Sequence, residues 1–359
     1  MIICHHSLLW RADMHLPSQT EHNLSQKLVL SVPAKAMLFG EYGVLRGGPA
    51  AVFVFSRFCM TLEFSLASGV KSDISFCELQ SDFFAQPVRL AVSEIEHTAG
   101  SQGESETRNL ACYLNGFADF LNDKQLFVRV LQSFSPALGF GSSSALLSAF
   151  QLALSHLSGS TALTPDYWQR IYRALILLQG KGSGYDIAVQ SWSTAREQPQ
   201  DDALLHFLNT DTSRRNLQPA ISPIRMLRED IVQLGCFVQT GIRSDTRAVL
   251  NSQTERPDEF YEKQSEWAQR FIDNPSAAQA AELCRESSHW ARRHGLLPAT
   301  RDLKALTDAF DAQQIAWKTM GAGHGDCLWV MASRDQIDDI ILLTGAKSPA
   351  VCFAFAEGA

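Results

Sequence analysis

The stretch Leu138-Gly139-Phe140-Gly141-Ser142-Ser143-Ser144-Ala145 opens straight into an apolar run, residues 145–157, with helical spacing. Its reading decides the fold. Glycines let a backbone turn tightly and approach a ligand without a Cβ in the way. A helix starting here offers unpaired N–H groups and the positive end of its dipole to whatever lies in the turn. Together these make an anion site suited to phosphate. The serine hydroxyls add donors, and one of them can ligate Mg²⁺. A plain serine cap after a flexible loop reads the same, so the segment has to be weighed with its neighbours. No G-x-x-x-x-G-K-[ST] run occurs in the chain, which excludes a Walker-type loop.

Upstream, residues 27–32 read as a strand ended by Pro33, and a glycine-punctuated stretch carrying Lys35 and Glu41 follows to Gly48. Strands are expected at 50–55, 59–64 and 126–131, a polar loop at 101–107 and a helix at 109–121. Downstream, Thr164 and Pro165 mark the start of a helix over 166–178. A polar loop at 194–202 precedes a buried strand at 231–240 and helices at 257–271, 277–293 and 300–313. A second glycine loop, 318–326, leads into a strand at 327–331. Strands and helices mix in both halves, which indicates α/β or α+β.

Further segments carry chemistry. In Gln179-Gly180-Lys181-Gly182-Ser183-Gly184-Tyr185-Asp186 a carboxylate follows a tight glycine turn. Such a group can accept a proton or orient an acceptor in phosphoryl transfer, with Lys181 near to neutralise charge. A turn-stabilising Asp is the commoner use of the same pattern. Lys35, just after a strand, can reach across a crevice to an anion, although a solvated lysine is the default. Thr240-Gly241-Ile242-Arg243-Ser244-Asp245-Thr246-Arg247 ends a strand with a capping run between arginines, a second candidate anion site or a plain capped helix. Met320-Gly321-Ala322-Gly323-His324-Gly325-Asp326 suggests close backbone approach, or a simple hairpin turn, and His324 either touches phosphate or lies exposed.

Composition narrows the classes. The 359 residues exceed one small core and suggest two domains. With Lys+Arg 31 against Asp+Glu 38, the net charge of −7 disfavours nucleic acid and anionic membranes as partners. The eight cysteines form no C-x-x-C pair and sit mostly in apolar runs, as free thiols in a reducing cytosol would. No apolar run reaches the ~20 residues that span a bilayer. Residues 1–20 lack the pattern of a signal peptide and read as a frayed extension. No H-E-x-x-H, G-x-S-x-G or G-x-G-x-x-G fingerprint appears.

Taken in order, Pro33-Ala34-Lys35 through Gly40-Glu41-Tyr42-Gly43-Val44, then 138–145, then Gly321-Ala322-Gly323-His324-Gly325-Asp326-Cys327 resemble the three motifs of the GHMP small-molecule kinases. Gly182-Ser183-Gly184-Tyr185-Asp186-Ile187-Ala188 is similar to the aspartate segment of that family's mevalonate-pathway branch. The resemblance implies an α+β, two-domain fold, with an N-terminal two-layer α/β domain and a C-terminal ferredoxin-like α+β domain. The expected division is a flexible extension over 1–25, a nucleotide-binding domain over 26–205 and a C-terminal domain over 206–359. It implies ATP and Mg²⁺ as cofactors, a cytoplasmic setting, a small-molecule acceptor, and allows a homodimer. ATP would be held by Gly139, Phe140, Gly141, Ser142, Ser143, Ser144 and Glu41, with Ser143 on Mg²⁺. Asp186 and Lys35 would be catalytic. Lys181, Ser183, Gly184, Arg243, Ser244, Gly323 and His324 would line the acceptor site.

Departures from the family pattern shape the acceptor reading. Mevalonate kinases carry a Mg²⁺-binding glutamate on the helix before the aspartate segment. Here that helix ends Arg173-Ala174-Leu175-Ile176-Leu177-Leu178-Gln179, without a carboxylate. Tyr42 stands where mevalonate kinases have histidine, and His324 where glycine is usual. The missing carboxylate and Tyr42, with Gln179-Gly180-Lys181 and Gly325-Asp326-Cys327, lean toward mevalonate 5-phosphate as acceptor, while His324 implies a stiffer loop or a direct substrate contact. Pro33-Ala34-Lys35 and 45–50 fit mevalonate about equally well. The missing carboxylate also keeps open a catalytically silent nucleotide-binding homologue.

Overall fold

The computed structural model describes residues 24–68, 75–82, 86–102, 105–196, 202–211, 213, 216–242, 256–297, 300–321 and 326–355. Two sheets organise the chain. The first contains β1 (Leu24–Phe39), β2 (Ala50–Ser68), β3 (Phe76–Gln80), β4 (Val88–Ala91), β5 (Lys124–Gln132), β6 (Ala203–Asn209) and β7 (Pro219–Pro223). Its order is β4-β3-β5-β2-β6-β7, with β1 also paired to β2. β3 and β5 run parallel, and the other pairs are antiparallel.

The second sheet contains β8 (Cys236–Gln239), β9 (Trp317–Thr319), β10 (Cys327–Val330) and β11 (Ala350–Ala354), all antiparallel, in the order β11-β8-β10-β9. Taken in chain order, the last strand lies beside the first and the third beside the second. That is the ferredoxin-like arrangement.

Helices cover the sheets. They are α1 (Ile95–Gly100), α2 (Glu106–Tyr113), α3 (Ala118–Leu121), α4 (Ser142–Leu157), α5 (Pro165–Gln179), α6 (Tyr185–Thr194), α7 (Arg228–Val232), α8 (Asp258–Asp273), α9 (Ala277–Arg293), α10 (Arg301–Ala312) and α11 (Arg334–Thr344). Among the described residues no helix is long and apolar enough to cross a membrane. α4 is apolar on most of its surface because it is packed against β1, β2, α5 and α6. The first half of β2 is likewise buried without alternation. Phe53 meets Phe355 at 4.8 Å between ring centroids, and Phe55 meets Phe353 at 4.8 Å, so the second sheet's residues cover the face that α4 and α6 do not. One buried apolar cluster therefore runs from the first sheet into the second.

The differences from expectation have local causes. β1 does not stop at Pro33. The register shifts there, with Pro33 opposite Cys59 and Ala34 opposite Phe55, and the strand continues to Phe39. Among the described residues β1 pairs only with β2, and an edge tolerates a residue without an N–H. Lys35 thus sits on a strand instead of a loop. The two strands expected at 50–55 and 59–64 are one strand, β2, irregular at 56–58. The helix expected at 109–121 is split into α2 and α3, with Gly116 between them at φ +83°. The strand expected at 231–240 begins only at Cys236, after α7 and a turn at Gly235, where a Cβ would lie 2.2 Å from the Val330 carbonyl oxygen. The glycine loop expected from Lys318 begins instead after β9.

Candidate active site

Lys35 is the joint of the site. Its backbone N–H donates to the Phe140 carbonyl oxygen at 3.0 Å, which ties β1 to the glycine-serine loop. Its side chain then crosses Gly141: a Cβ there would lie 2.6 Å from Lys35 Cε and 3.4 Å from Nζ. Gly141 is the N-cap of α4, at φ +81°, and supplies no side-chain cap. The first N–H groups of α4 therefore face the turn, and the helix dipole adds its positive end. Ser142 is half-buried and Ser143 exposed. The Ser143 hydroxyl bonds the Tyr113 phenol, while Ser144 Oγ is buried and donates to the Gly141 carbonyl oxygen at 3.0 Å.

On the other side of the ammonium stands the first turn of α6. Lys35 Nζ donates to the Tyr185 hydroxyl at 2.7 Å and lies 4.8 Å from that ring's centre. Asp186 follows, its Oδ1 accepting the Ile187 backbone N–H at 2.9 Å. Burial works against the Lys35 charge, but Tyr185, Asp186 and Asp326 outweigh it and hold the lysine pKa above its ordinary value. Burial raises the Tyr185 pKa despite the neighbouring ammonium, so the phenol stays protonated. One turn further along α6, Gln190 Nε2 donates to the carbonyl oxygens of Pro33 at 2.9 Å and Gly141 at 3.2 Å. β1, the loop and α6 are thereby fixed to one another, with Lys35 between the loop and the Asp186 carboxylate.

The second sheet brings the third element. The Asp326 N–H donates to the Ile242 carbonyl oxygen at 2.6 Å, and the Asp326 carbonyl oxygen accepts the Thr240 N–H at 2.7 Å. Next along β10, Cys327 Sγ donates to the Leu138 carbonyl oxygen at 3.2 Å. These bonds press Asp326 onto the loop: a Cβ on Gly139 would lie 2.8 Å from Asp326 Oδ2.

The expected residues separate clearly. Gly141 and Asp186 lie by the Lys35 ammonium, Gly139 lies against Asp326, and Ser143 is exposed and bonded to Tyr113. Phe140 contributes its backbone, whereas its ring is buried and stacked on Phe55 at 4.6 Å between centroids. Glu41 is buried and paired with Lys318. Lys181 is exposed, Ser183 half-buried and Gly184 buried as the N-cap of α6 at φ +76°. Arg243, Ser244, Gly323 and His324 lie outside the described residues. Sequence reading missed Tyr113, Tyr185 and Lys318 and gave Asp326 no role. Adjacency to Asp186 was the available signal for Tyr185. Nothing local marked Tyr113.

The cradle fits a nucleotide's phosphates. A side chain at 139 would collide with Asp326 and one at 141 with Lys35, and the N-cap of α4 leaves its first N–H groups without a side-chain cap. The oxygen donors around it, Asp186, Asp326 and the Ser143 hydroxyl, are hard ligands of the kind Mg²⁺ takes beside phosphate. Among the described residues no group of three or more His, Cys, Asp or Glu side chains could hold a metal unaided.

No family model matches the chain. A mevalonate kinase of Thermococcus gammatolerans is 24% identical over 334 residues, covering 89% of this chain and 93% of the relative. The Methanococcus jannaschii mevalonate kinase structure superposes with a TM-score of 0.64 at 16% identity, covering 91% of this chain and 97% of that one. A Streptococcus pneumoniae phosphomevalonate kinase in complex with phosphomevalonate and AMPPNP gives 0.62 at 14% identity, covering 91% and 98%. The chain has the fold of these kinases. The two TM-scores are too close to separate one acceptor from the other.

Proposed function

We propose that this chain is a kinase of the GHMP family and transfers the terminal phosphoryl group of ATP to mevalonate 5-phosphate. One observation carries the reading. Lys35 lies across the glycine at the start of α4 and is shared with Tyr185, Asp186 and Asp326. A cation there faces a phosphate tail on one side and an acceptor on the other. Phosphoryl transfer relies mainly on such positioning and charge stabilisation.

The roles follow from the geometry. Backbone N–H groups from Gly141 onward hold the phosphates, and Gly139 and Gly141 keep the space open. Lys35 stabilises charge on the group in transfer, and its raised pKa keeps it protonated at neutral pH. Asp186 orients the acceptor oxygen, or takes its proton where the acceptor is a hydroxyl as in mevalonate. Bound Mg²⁺, held by the Ser143 hydroxyl and the nearby carboxylates, would neutralise phosphate charge. The exposed Lys181, five residues before Asp186 on the other side of a glycine turn, suits an acceptor that already carries phosphate.

Mevalonate is the second reading, favoured by the 24% identity over 89% of this chain to the Thermococcus gammatolerans mevalonate kinase. A coupled ADP-release assay on both acceptors decides. Turnover on mevalonate 5-phosphate with little on mevalonate supports the first reading, and the reverse supports the second. Nucleotide-dependent thermal stabilisation without product on either acceptor identifies a silent homologue.

A further inference from the structure

We propose that Cys327 and Cys352 form a two-thiol binding site for a thiophilic divalent cation of the Zn²⁺ class, on the second sheet beside Leu138. The site is separate from the phosphate cradle and does not rest on the nucleotide reading.

The argument begins with the spacing of the sulfurs. Cys327 Sγ and Cys352 Sγ lie 3.8 Å apart. A disulfide needs about 2.05 Å, and neither thiol belongs to one. Two thiolates held at about 2.3 Å by one tetrahedral ion lie about 3.8 Å from each other. The sulfurs therefore already have the separation that a shared cation requires.

Topology is the second argument. The two cysteines are not on neighbouring strands, because β8 runs between β10 and β11. Cys327 lies opposite Gln239 of β8. On the other side of β8 the register of β11 shifts between Val351 and Phe353, so Cys352 is the extra residue of a bulge. A bulge re-aims a side chain. Here Cys352 Sγ reaches over β8, donates to the Phe237 carbonyl oxygen at 3.3 Å and meets the sulfur coming from β10.

The third argument is the donor set. Cys327 Sγ donates to the Leu138 carbonyl oxygen at 3.2 Å, so each sulfur has an oxygen in contact. Binding exchanges protons for metal. Two S–H bonds break, two metal–sulfur bonds form and two protons leave to solvent, so that two thiolates balance one M²⁺. The two carbonyl oxygens lose their S–H donors in the exchange. They, or water entering past the half-buried Cys352, complete four-coordination. Thiolates select Zn²⁺ and softer ions, whereas Mg²⁺ takes oxygen. Among the described residues no three His, Cys, Asp or Glu side chains gather to hold a metal, so side chains supply two ligands here and no more.

The test uses the full chain, reduced and then freed of reductant. Cd²⁺ is the probe, because cadmium–thiolate bonds absorb in the ultraviolet, and Zn²⁺ affinity follows by competition. The expected result is a single Cd²⁺ per chain with thiolate absorbance, displaced by Zn²⁺ and indifferent to excess Mg²⁺. Cys352→Ser and Cys327→Ser should each weaken binding at least ~100-fold, since even groups that only support a metal ligand contribute about 10- to 100-fold. Cys4→Ser, which removes the thiol next to His5 and His6 in the sequence, should leave binding unchanged. Thiolate absorbance that persists in Cys352→Ser, or that disappears in Cys4→Ser, overturns the proposal, as does a wild-type chain that binds no Cd²⁺. If a serine variant does not fold, the wild-type chain decides. Zn²⁺ should protect Cys352 from alkylation by iodoacetamide, read by peptide mass spectrometry, and equal labelling with and without Zn²⁺ overturns the site.

Discussion

Lys318 on β9 and Glu41 in the turn after β1, 277 residues apart, form a buried ion pair. The pair joins the edge of the second sheet to the first glycine-punctuated stretch. Phe39 lies beneath the lysine, 5.7 Å from its ammonium to the ring centre. Burial acts on the Glu41 carboxyl more strongly than its partner does and raises its pKa. Breaking a buried pair strands the remaining charge, at a cost of about 3–5 kcal/mol. Lys318→Met should lower the urea midpoint accordingly. Lys318→Met combined with Glu41→Gln should recover much of the loss, whereas strictly additive losses would show that the two groups are not coupled.

Asp186→Asn should reduce turnover by about 10²–10⁴-fold, the usual range for a positioned proton acceptor, while nucleotide affinity survives. Pre-steady-state phosphoryl transfer measured beside AMPPNP titration separates the two effects. Near-normal turnover would leave Asp186 as a helix-start residue bonded to the Ile187 N–H and nothing more.

Tyr185→Phe removes the hydroxyl that accepts from Lys35 while keeping the ring that faces it. Hydrogen bonds to charged groups contribute about 1.5–3 kcal/mol. The variant should lose stability toward the lower end of that range, because Asp186 and Asp326 still attract the ammonium. Its turnover should fall more than its acceptor KM rises. Denaturant unfolding and steady-state kinetics check both, and unchanged values would make the phenol a bystander.

Lys35 also fixes a pH dependence. Its pKa in the folded chain lies above the ordinary 10.5, so its pairing stabilises the fold fully below that value. The contribution is lost as pH rises through the folded pKa. The stability difference between wild type and Lys35→Met should therefore be flat across neutral and mildly alkaline pH and shrink only above about 10.5. Chemical unfolding at a series of pH values follows it. A difference that shrinks already near pH 8 would contradict the assignment.

Gly141→Ala tests the cradle. The left-handed φ of +81° penalises any side chain, and the added methyl would displace the Lys35 side chain 2.6 Å away. The conformational part alone is about 1–2 kcal/mol. Nucleotide affinity measured by calorimetry should fall at least ~10-fold, since the displaced Lys35 no longer lies beside the loop and 1.4 kcal/mol corresponds to tenfold.

The glycine loop was legible because its signal is local: glycines, then serines, then an apolar helix within one short window. The helix over 277–293 was placed to the residue for the same reason, with Ser276 capping Gln279. The strand through Pro33 was not legible, because an edge strand and a shift in register decide it, and neither is written in local composition. Asp326 and Lys318 were hidden differently. Their meaning depends on strands of the second sheet meeting a loop and a turn of the first, which no spacing along the chain reports. Tyr113 reaches Ser143 only because α2 packs beside α4.

The ring of Phe140 touches Phe55 from the first sheet and Phe237 from the second, at 4.6 and 5.5 Å between centroids. The midpoint of the glycine-serine loop is therefore clamped by both halves, and its ordering entropy is spent during folding instead of at any binding step. Amide protons of β8 should then exchange more slowly when nucleotide is present, although β8 belongs to the other sheet, because releasing Phe237 would loosen the loop that the ligand holds.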